Sequence, residues 1–548
     1  MLIKIVAGAW SLFQLGVASV VVVSSTHIRS IHLAFALALI YLTVKPKRGR
    51  AKIVEEPVIS SRFSFRWWEL LLALAAALSA LYIVMDYAGI ASRIGQPIPR
   101  DRWLSLGLIL FLFEASRRIL GPALPSIGLA VSLLAFFGPH LPTQIAFRGV
   151  SLDRYLTQIA LTNEGIFGIP LGVSANFVFL FVLLGALLDR AGGGKWFIEI
   201  ATALLGRFRG GPAKAAVVAS GLVGTVSGSS IANVVTSGTF TIPLMKSIGY
   251  PPYKAGAIET AASTYGQLMP PIMGAAAFIM AEYLNLPYIA VIKSALLPAI
   301  MAYTGLFFVV HLEALKLGLK GLPPEELPHL KEVFLKGIHF LIPLGVLIYK
   351  LVILRHTPES SAFFTVIALV GVVSVKELGG RWLSGEGVGR SVKVIANFFW
   401  NGLTQGAISM TSVAVATACA GVVIGVMMMG PGGLINEAVE RIAGGKIIIL
   451  LLMTTVACLI LGMGLPTTAN YIVMASLTAP ILVHVGAKAG LEVPIIAAHM
   501  FIFFYGVQAD ITPPVALAAY AASGIAGSEP LRTGVQAFRY ALPTFLLP

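Results

Sequence analysis

The 548-residue sequence is 57% hydrophobic and only 11% charged, against roughly 25% charge in an average soluble domain, which excludes a soluble globular protein and indicates a polytopic membrane chain. Its net charge of +15 sits in short loops with no aromatic interleaving and no nucleic-acid motif, so it reads as the positive bias of cytoplasmic loops, with no nucleic acid as partner. Cys419 and Cys458, the two cysteines, both lie in apolar runs, which excludes a disulfide framework and a Cys metal site and predicts two buried thiols.

Apolar runs predict spans near 5–23, 31–44, 67–88, 104–119 and 122–138, the last two divided by Gly121-Pro122 and forming either two spans or one broken helix. The first is read as a retained span, because no small-residue cleavage site follows it. Lys45, Lys47, Arg48, Arg50, Lys52, Arg62 and Arg66 outnumber Glu55 and Glu56 in the loop after the second span and set that loop in the cytoplasm. Residues 139–170 then fall outside, and a span at 171–188 returns Arg190, Lys195, Arg207, Arg209 and Lys214 to the cytoplasm, as the same rule requires. Next come a polar hairpin at 213–248, a helix at 254–284 broken by Pro270-Pro271, and spans at 288–312, 334–354 and 362–375. A Pro/Glu-rich loop occupies 321–332, and 376–400 is expected as an amphipathic arm along the interface. Spans at 404–429 and 446–461, a second polar hairpin at 462–488, a helix at 494–525 broken by Pro513-Pro514 and a final run to Pro548 complete the chain.

The two hairpins and the two breaks are copies. Ser227-Gly228-Ser229-Ser230-Ile231-Ala232-Asn233, Thr241-Ile242-Pro243 and Gln267-Leu268-Met269-Pro270-Pro271 recur as Gly464-Leu465-Pro466-Thr467-Thr468-Ala469-Asn470, Thr478-Ala479-Pro480 and Asp510-Ile511-Thr512-Pro513-Pro514. The offset is 237 residues at Asn233/Asn470 and Pro243/Pro480, and 243 at Pro270/Pro513. Gly/Pro-interrupted apolar segments at matching places in two halves point to the midplane site of a secondary transporter, since irregular backbone is tolerated at membrane depth only around a cavity or inside protein. Small and hydroxyl residues also serve plain helix packing in membranes, which is the competing reading of a single copy. The duplication favours a site, with Ser227, Gly228, Ser229, Ser230, Asn233, Thr467, Thr468 and Asn470 as substrate-binding candidates. Each Pro-Pro pair removes two backbone donors, freeing carbonyls that suit a cation and N–H groups that suit a carboxylate. Gln267, Pro270, Gly462, Gly464, Asp510, Thr512 and Pro513 are therefore the candidates to hold Na+, which is expected as the coupling ion. Asp510, an ionisable residue after an apolar run, is expected to bind the ion or carry a proton, with helix capping as the bland alternative. Glu259 stands 11 residues before Pro270, roughly 16 Å along a helix, and is expected at an interface or domain contact; His499, 11 residues before Asp510, is expected to be structural. The sequence holds no P-loop, no H-E-x-x-H and no G-x-S-x-G, so neither ATP hydrolysis nor another enzymatic activity is expected, and no organic cofactor.

These motifs, with Gly224-Thr225-Val226 ahead of the first and Gly462-Met463 ahead of the second, resemble the large membrane subunit of TRAP transporters, the tripartite ATP-independent periplasmic family. The spans ahead of Leu161-Thr162-Asn163-Glu164-Gly165-Ile166-Phe167-Gly168 look like the small subunit fused to it, as in the TAXI branch. The resemblance implies an all-α inner-membrane protein of inverted repeats with two reentrant hairpins, working as an elevator-type transporter. It also implies import of a small carboxylate on a Na+ or H+ gradient, and a TAXI-type extracytoplasmic substrate-binding protein that delivers it. A self-sufficient symporter needing no such protein is the rival. On this reading 1–145 are small-subunit-like scaffold spans, 146–170 an extracytoplasmic linker and 171–320 the first repeat. Residues 321–400 form the inter-repeat loop, scaffold spans and arm, and 401–548 the second repeat. The permease is expected to act as a monomer in the lipid bilayer. Fused relatives usually run on past Ala541-Leu542-Pro543, whereas this sequence stops at Pro548, which leaves two readings open, a final helix that is absent or a chain that is shortened.

Overall fold

The computed structural model describes residues 1–45, 67–140, 146–383 and 388–548. They are 81% helical with no strand among them, as the composition predicts. Nine helices of the described residues are long and apolar enough to cross a membrane, and the chain is a multi-pass inner-membrane protein. Of the basic loop that orients the chain, Lys47 to Arg66 lie outside the described residues.

The first five expected spans form as Leu2–Val17, Ser25–Thr43, Trp67–Met85, Pro99–Ile119 and Ala123–Phe137. The first stops well short of residue 23, because Val20 to Val23 are β-branched and lose rotamer freedom in a helix. At Gly121 (φ 89°) and Pro122 the chain turns, so 104–138 is two helices and not one. The expected arm at 376–400 is not a separate element: Pro358–Leu383 runs on through 383, and the helix Val388–Met428 starts well before 404. Residues 384–387 of this stretch lie outside the described residues, and in the rest no Pro stops either helix. Two short amphipathic helices, Gly193–Leu205 and Pro431–Ala443, form where no span is expected.

Ten helices frame the duplicated motifs and are labelled here in chain order: α1 Gly211–Ser227, α2 Ser230–Ser247, α3 Pro252–Gly266, α4 Ala275–Tyr283, α5 Tyr288–Lys316, α6 Ile447–Gly462, α7 Thr467–Lys488, α8 Ile495–Gln508, α9 Leu517–Ala526 and α10 Pro530–Ala541. The second hairpin is accordingly longer than 462–488, with all of α6 as its first arm.

The chain forms two compact units. One comprises residues 1–178, 278–285 and 407–506; the other comprises 179–277, 286–406 and 507–548. Within the first, the buried Gln14 Nε2 lies 2.7 Å from His32 Nδ1, whose Nε2 is 3.1 Å from Ser174 Oγ, so polar side chains join the N-terminal helices to the segment after residue 146. Arg29 donates to the Phe167 carbonyl at 2.8 Å. A Cβ at Gly421 would stand 2.3 Å from the Gly165 carbonyl oxygen, so only glycine permits that approach. Cys419 and Cys458 are both buried and free. Within the second unit, α1, α2 and α3 pack with α9 and α10. Lys246 Nζ reaches the Ala526 carbonyl (2.9 Å), and Tyr303 of α5 donates to the Ala262 carbonyl (2.7 Å).

Candidate functional site

Both Pro-Pro pairs break their helices as the missing N–H groups require. α3 ends at Gly266 and helix resumes at Ala275; α8 ends at Gln508, a single 3-10 turn follows at Ala509–Ile511, and helix resumes at Leu517. The two breaks repeat each other in backbone detail. Both Pro-Pro bonds are cis, and the third residue after the first proline has positive φ in each copy, Met273 at 62° and Ala516 at 41°. Neither residue is glycine, so the left-handed turn is held by the surrounding structure in both copies.

The first hairpin turns at Gly228, which takes φ 63°. Ser229 caps α2, its hydroxyl accepting from the Ala232 N–H at 3.4 Å, and the Ser227 hydroxyl donates to the Ser229 carbonyl at 3.4 Å. Ser230, one residue further, points inward and donates to Asp510 Oδ2 at 2.6 Å. Gln267 Nε2, from the first break, donates to the same oxygen at 3.1 Å. Asp510 is 5% exposed, so hairpin, first break and second break converge on one buried carboxylate within the second unit. Gln267 and Asp510 are also equivalent positions of the repeat, at the 243-residue offset of Pro270 and Pro513. The duplicated breaks therefore meet at this pair. Around it, Pro270 is half-buried, and the Thr512 hydroxyl donates to the Gln508 carbonyl at 2.8 Å, across the start of the break.

The two asparagines of the duplicated motif do a shared job that spacing did not reveal. Asn233 Nδ2 donates from α2 to the Ser220 carbonyl of α1 at 2.9 Å; Asn470 Nδ2 donates from α7 to the Cys458 carbonyl of α6 at 2.9 Å. Each staples the second arm of its hairpin to the first. The staple sits beside a close backbone approach in the first copy, where a Cβ at Gly224 would lie 2.4 Å from Gly266 Cα. Asn470 Oδ1 is buried with no hydrogen-bond partner. Of the remaining second-copy candidates, Gly462 and Thr467 are buried and Gly464 and Thr468 half-buried; a Cβ at Gly464 would meet Ala123 Cβ at 2.7 Å. These four and Asn470 belong to the first unit, whereas Ser227 to Asn233, Gln267, Pro270, Asp510, Thr512 and Pro513 belong to the second.

Glu259 is not at an interface. It is 0% exposed, inside the second unit, and surrounded by hydroxyls: Ser220 of α1, Ser237 of α2 and its own helix's Ser263 on Oε1, and Thr241 of α2 on Oε2. An apolar helix carried no sign of this cradle, because three of its four hydroxyls come from other helices. His499 is buried against Tyr471, whose hydroxyl lies 2.7 Å from Nδ1, in the structural role expected of it.

Comparison with known proteins agrees with the duplicated motifs. A family described as "Tripartite ATP-independent periplasmic transporter, DctM component" matches residues 108–547. The chain is 32% identical over 146 residues to the C4-dicarboxylate TRAP transporter large permease protein of Rhodobacter capsulatus, covering 27% of this chain and 30% of that one. It is 25% identical over 475 residues to the isethionate TRAP transporter permease protein of Oleidesulfovibrio alaskensis, covering 84% of this chain and 64% of that one. With the 2,3-diketo-L-gulonate TRAP transporter large permease protein of Escherichia coli the identity is 22% over 351 residues, 63% of this chain and 76% of that one. The chain thus spans less than a third of the length of the first of these relatives and 64% of the second.

Proposed function

Because this chain belongs to the DctM-component family of tripartite ATP-independent periplasmic transporters, which it matches from residue 108 to 547, we propose that it is the membrane permease of a secondary transporter that imports a small organic acid. The observation that carries this reading is the convergence of Ser230 and Gln267 on Asp510. A buried carboxylate at the meeting point of two broken helices is costly unless it serves an ion or a substrate. On this proposal Asp510, Gln267, Thr512 and the carbonyls of the breaks hold the driving cation, Na+ or H+, and the hairpin tip at Ser227–Ser230, in the same unit, faces the substrate. Asn233 and Asn470 keep the tips of their own hairpins in place.

The relatives' names support an organic anion as substrate, since C4-dicarboxylate, isethionate and 2,3-diketo-L-gulonate are all of that kind. Family membership supports delivery by an extracytoplasmic binding protein, of the TAXI type on the resemblance of the fused N-terminal spans. An elevator movement of the repeats then carries the substrate across. The test is uptake into proteoliposomes containing the purified chain, with and without its cognate binding protein, using a panel of labelled carboxylates. Uptake should appear only with the binding protein present. Saturable uptake by the chain alone would replace this reading with that of a self-sufficient symporter.

A further inference from the structure

Among the described residues, Glu259 is a fully buried carboxylate that the ion and substrate contacts above leave unused, and its surroundings decide its charge. No Lys, Arg or His of the described residues pairs with it. Of the helices packed around it, α1 carries Lys214, which lies over the Phe307 ring; α2 carries Lys246, which is bound to the Ala526 carbonyl; and α10 carries Arg532, which stacks on Tyr253. Lys254 on its own helix pairs with Glu313. The Tyr303 phenol of α5 is the titratable group beside it and donates to the Ala262 carbonyl. A bare carboxylate buried at membrane depth without a cation is strongly disfavoured, whereas a neutral carboxylic acid with matched hydrogen bonds is not.

The hydroxyl protons can be counted. Thr241 has one, yet its Oγ1 lies 2.6 Å from Glu259 Oε2 and 3.1 Å from the Ser237 carbonyl. A proton on Glu259 Oε2, donated to Thr241 Oγ1, frees the Thr241 proton for the carbonyl, so that neither contact has to share a hydrogen. On the other side, Ser220 (2.7 Å) and Ser263 (2.9 Å) donate to Oε1, while Ser237 has the Asn233 carbonyl at 2.7 Å as acceptor. Ser237 and Thr241 each face both a backbone carbonyl and the carboxyl, and the single proton of the neutral acid serves one of these two hydroxyls while the other oxygen accepts from the serines. Nor does the repeat architecture require the cradle. At the offsets of the duplication Ser220, Ser237, Glu259 and Ser263 correspond to Ala457, Met474, Ile502 and Gly506, and Thr241 to Thr478, so the second copy keeps one of the four hydroxyls and has no carboxylate at the same place.

We propose that Glu259 is a proton-binding site, loaded in this conformation, and that its proton moves with the imported organic acid. The first half of this stands on the cradle alone; the second rests on the transport reading above. Coupling has a physical route. α2 carries both Ser230, bound to Asp510, and Ser237 and Thr241, bound to Glu259, while Gln267, bound to Asp510, directly follows α3, which carries Glu259. Any displacement of α2 along α3 that alters the Asp510 contacts alters the cradle too. The proton enters from the side of higher proton activity onto the carboxylate, is held as the acid between Thr241 and the serines, and leaves to water on the opposite side, returning the carboxylate for the next cycle.

Infrared difference spectroscopy of the full chain in lipid nanodiscs tests the site without any substrate. At neutral pH the wild type should show the C=O stretch of a protonated, hydrogen-bonded carboxylic acid. Glu259→Gln should lose that band, and Thr241→Val, which keeps the carboxyl but removes its acceptor, should shift it. A band unchanged in either variant overturns the assignment. For coupling, proteoliposomes with a lumenal pH dye and the cognate binding protein are given succinate, 2-oxoglutarate or glutamate. Wild type should acidify the lumen in step with uptake, and Glu259→Gln should lose the acidification while still exchanging internal for external substrate. Acidification retained in Glu259→Gln overturns the coupling. If the wild type takes up none of the three under any ion gradient, it is the transport reading that falls, and the infrared band still decides the proton site.

Discussion

Asp510 receives two donors on a single carboxylate oxygen, from Ser230 and Gln267, in a buried site. An amide at this position keeps the shape but lacks the charge that attracts a cation. Asp510→Asn should therefore raise the half-saturating Na+ concentration for uptake, tenfold for each ~1.4 kcal/mol of ion-binding energy lost, while docking of the binding protein stays unchanged. Uptake measured against Na+ in wild type and variant checks this; an unaltered Na+ response would take Asp510 out of the ion site. Ser230→Ala removes a hydrogen bond to a charged acceptor and should cost roughly 1.5–3 kcal/mol of stability, read as a lower melting temperature in detergent. Glu259 shows how surroundings separate the chemistry of two buried carboxylates. A place at a helix break, beside freed backbone carbonyls, suits Asp510 to an ion, whereas four hydroxyls, with no cation paired among the described residues, suit Glu259 to a proton.

Among the elements, α1 and α3 touch through their backbones. Gly224→Ala would place a methyl 2.4 Å from Gly266 Cα, and Gly266→Ala one 2.7 Å from Gly224 Cα, both against main chain that cannot swing aside. Each should destabilise by about 1–3 kcal/mol or more, whereas Gly371→Ala, with nothing within 4 Å of its Cβ, should be neutral or slightly stabilising in its helix. Comparative thermal unfolding of the three variants reads this directly. The helix Pro99–Ile119 offers a pH signature outside the apolar span at 104–119. Asp101 is buried at its N-terminus, where the Arg93 guanidinium (2.7 Å), the Tyr82 hydroxyl and the Ile98 N–H (3.1 Å) bind its carboxylate. The hydrogen bond from Arg93 foremost holds its pKa down to about 2 from an ordinary 3.8. A depressed carboxylate pKa contributes stability above the unfolded value and loses it as pH falls towards the folded one. Asp101→Asn should thus cost on the order of 1–2 kcal/mol at pH 7 after solvent screening, and the gap in melting temperature from wild type should close as pH falls from about 4 to about 2.

For the whole molecule, the duplication predicts topology. Arg207, Arg209 and Lys214 place the entry to α1 in the cytoplasm, and an inverted repeat requires the second hairpin to open to the opposite side. Single cysteines at Gly211 and Gly486, in a background with Cys419 and Cys458 replaced, should be labelled from opposite faces of the membrane. Labelling of both from one face contradicts the inversion. Two of the boundaries between the two compact units fall in the broken helices, at 277/278 after the first Pro-Pro pair and at 506/507 before the second.

The all-α membrane class, the duplication and the positions of both breaks were legible in the order of residues. They follow from local chemistry: apolar length sets a span, and Pro270-Pro271 and Pro513-Pro514 lack the N–H groups a helix needs wherever they occur. The extent of 376–400 and the end of the first helix were less legible, because helix ends depend on weak propensities with no Pro to mark them. Which polar groups meet was decided by the folded chain alone. Asn233 and Asn470 stand at the same place of the repeat, yet their role as hairpin staples emerges only when the arms are folded together. Gln267 finds Asp510 across 243 residues, and Ser230 finds it across 280. Glu259 looked like an interfacial carboxylate because 11 residues set it roughly 16 Å along a helix from the break; the cost of its burial is offset by hydroxyls that two other helices bring to it, and spacing along one helix carries no information about what its neighbours present.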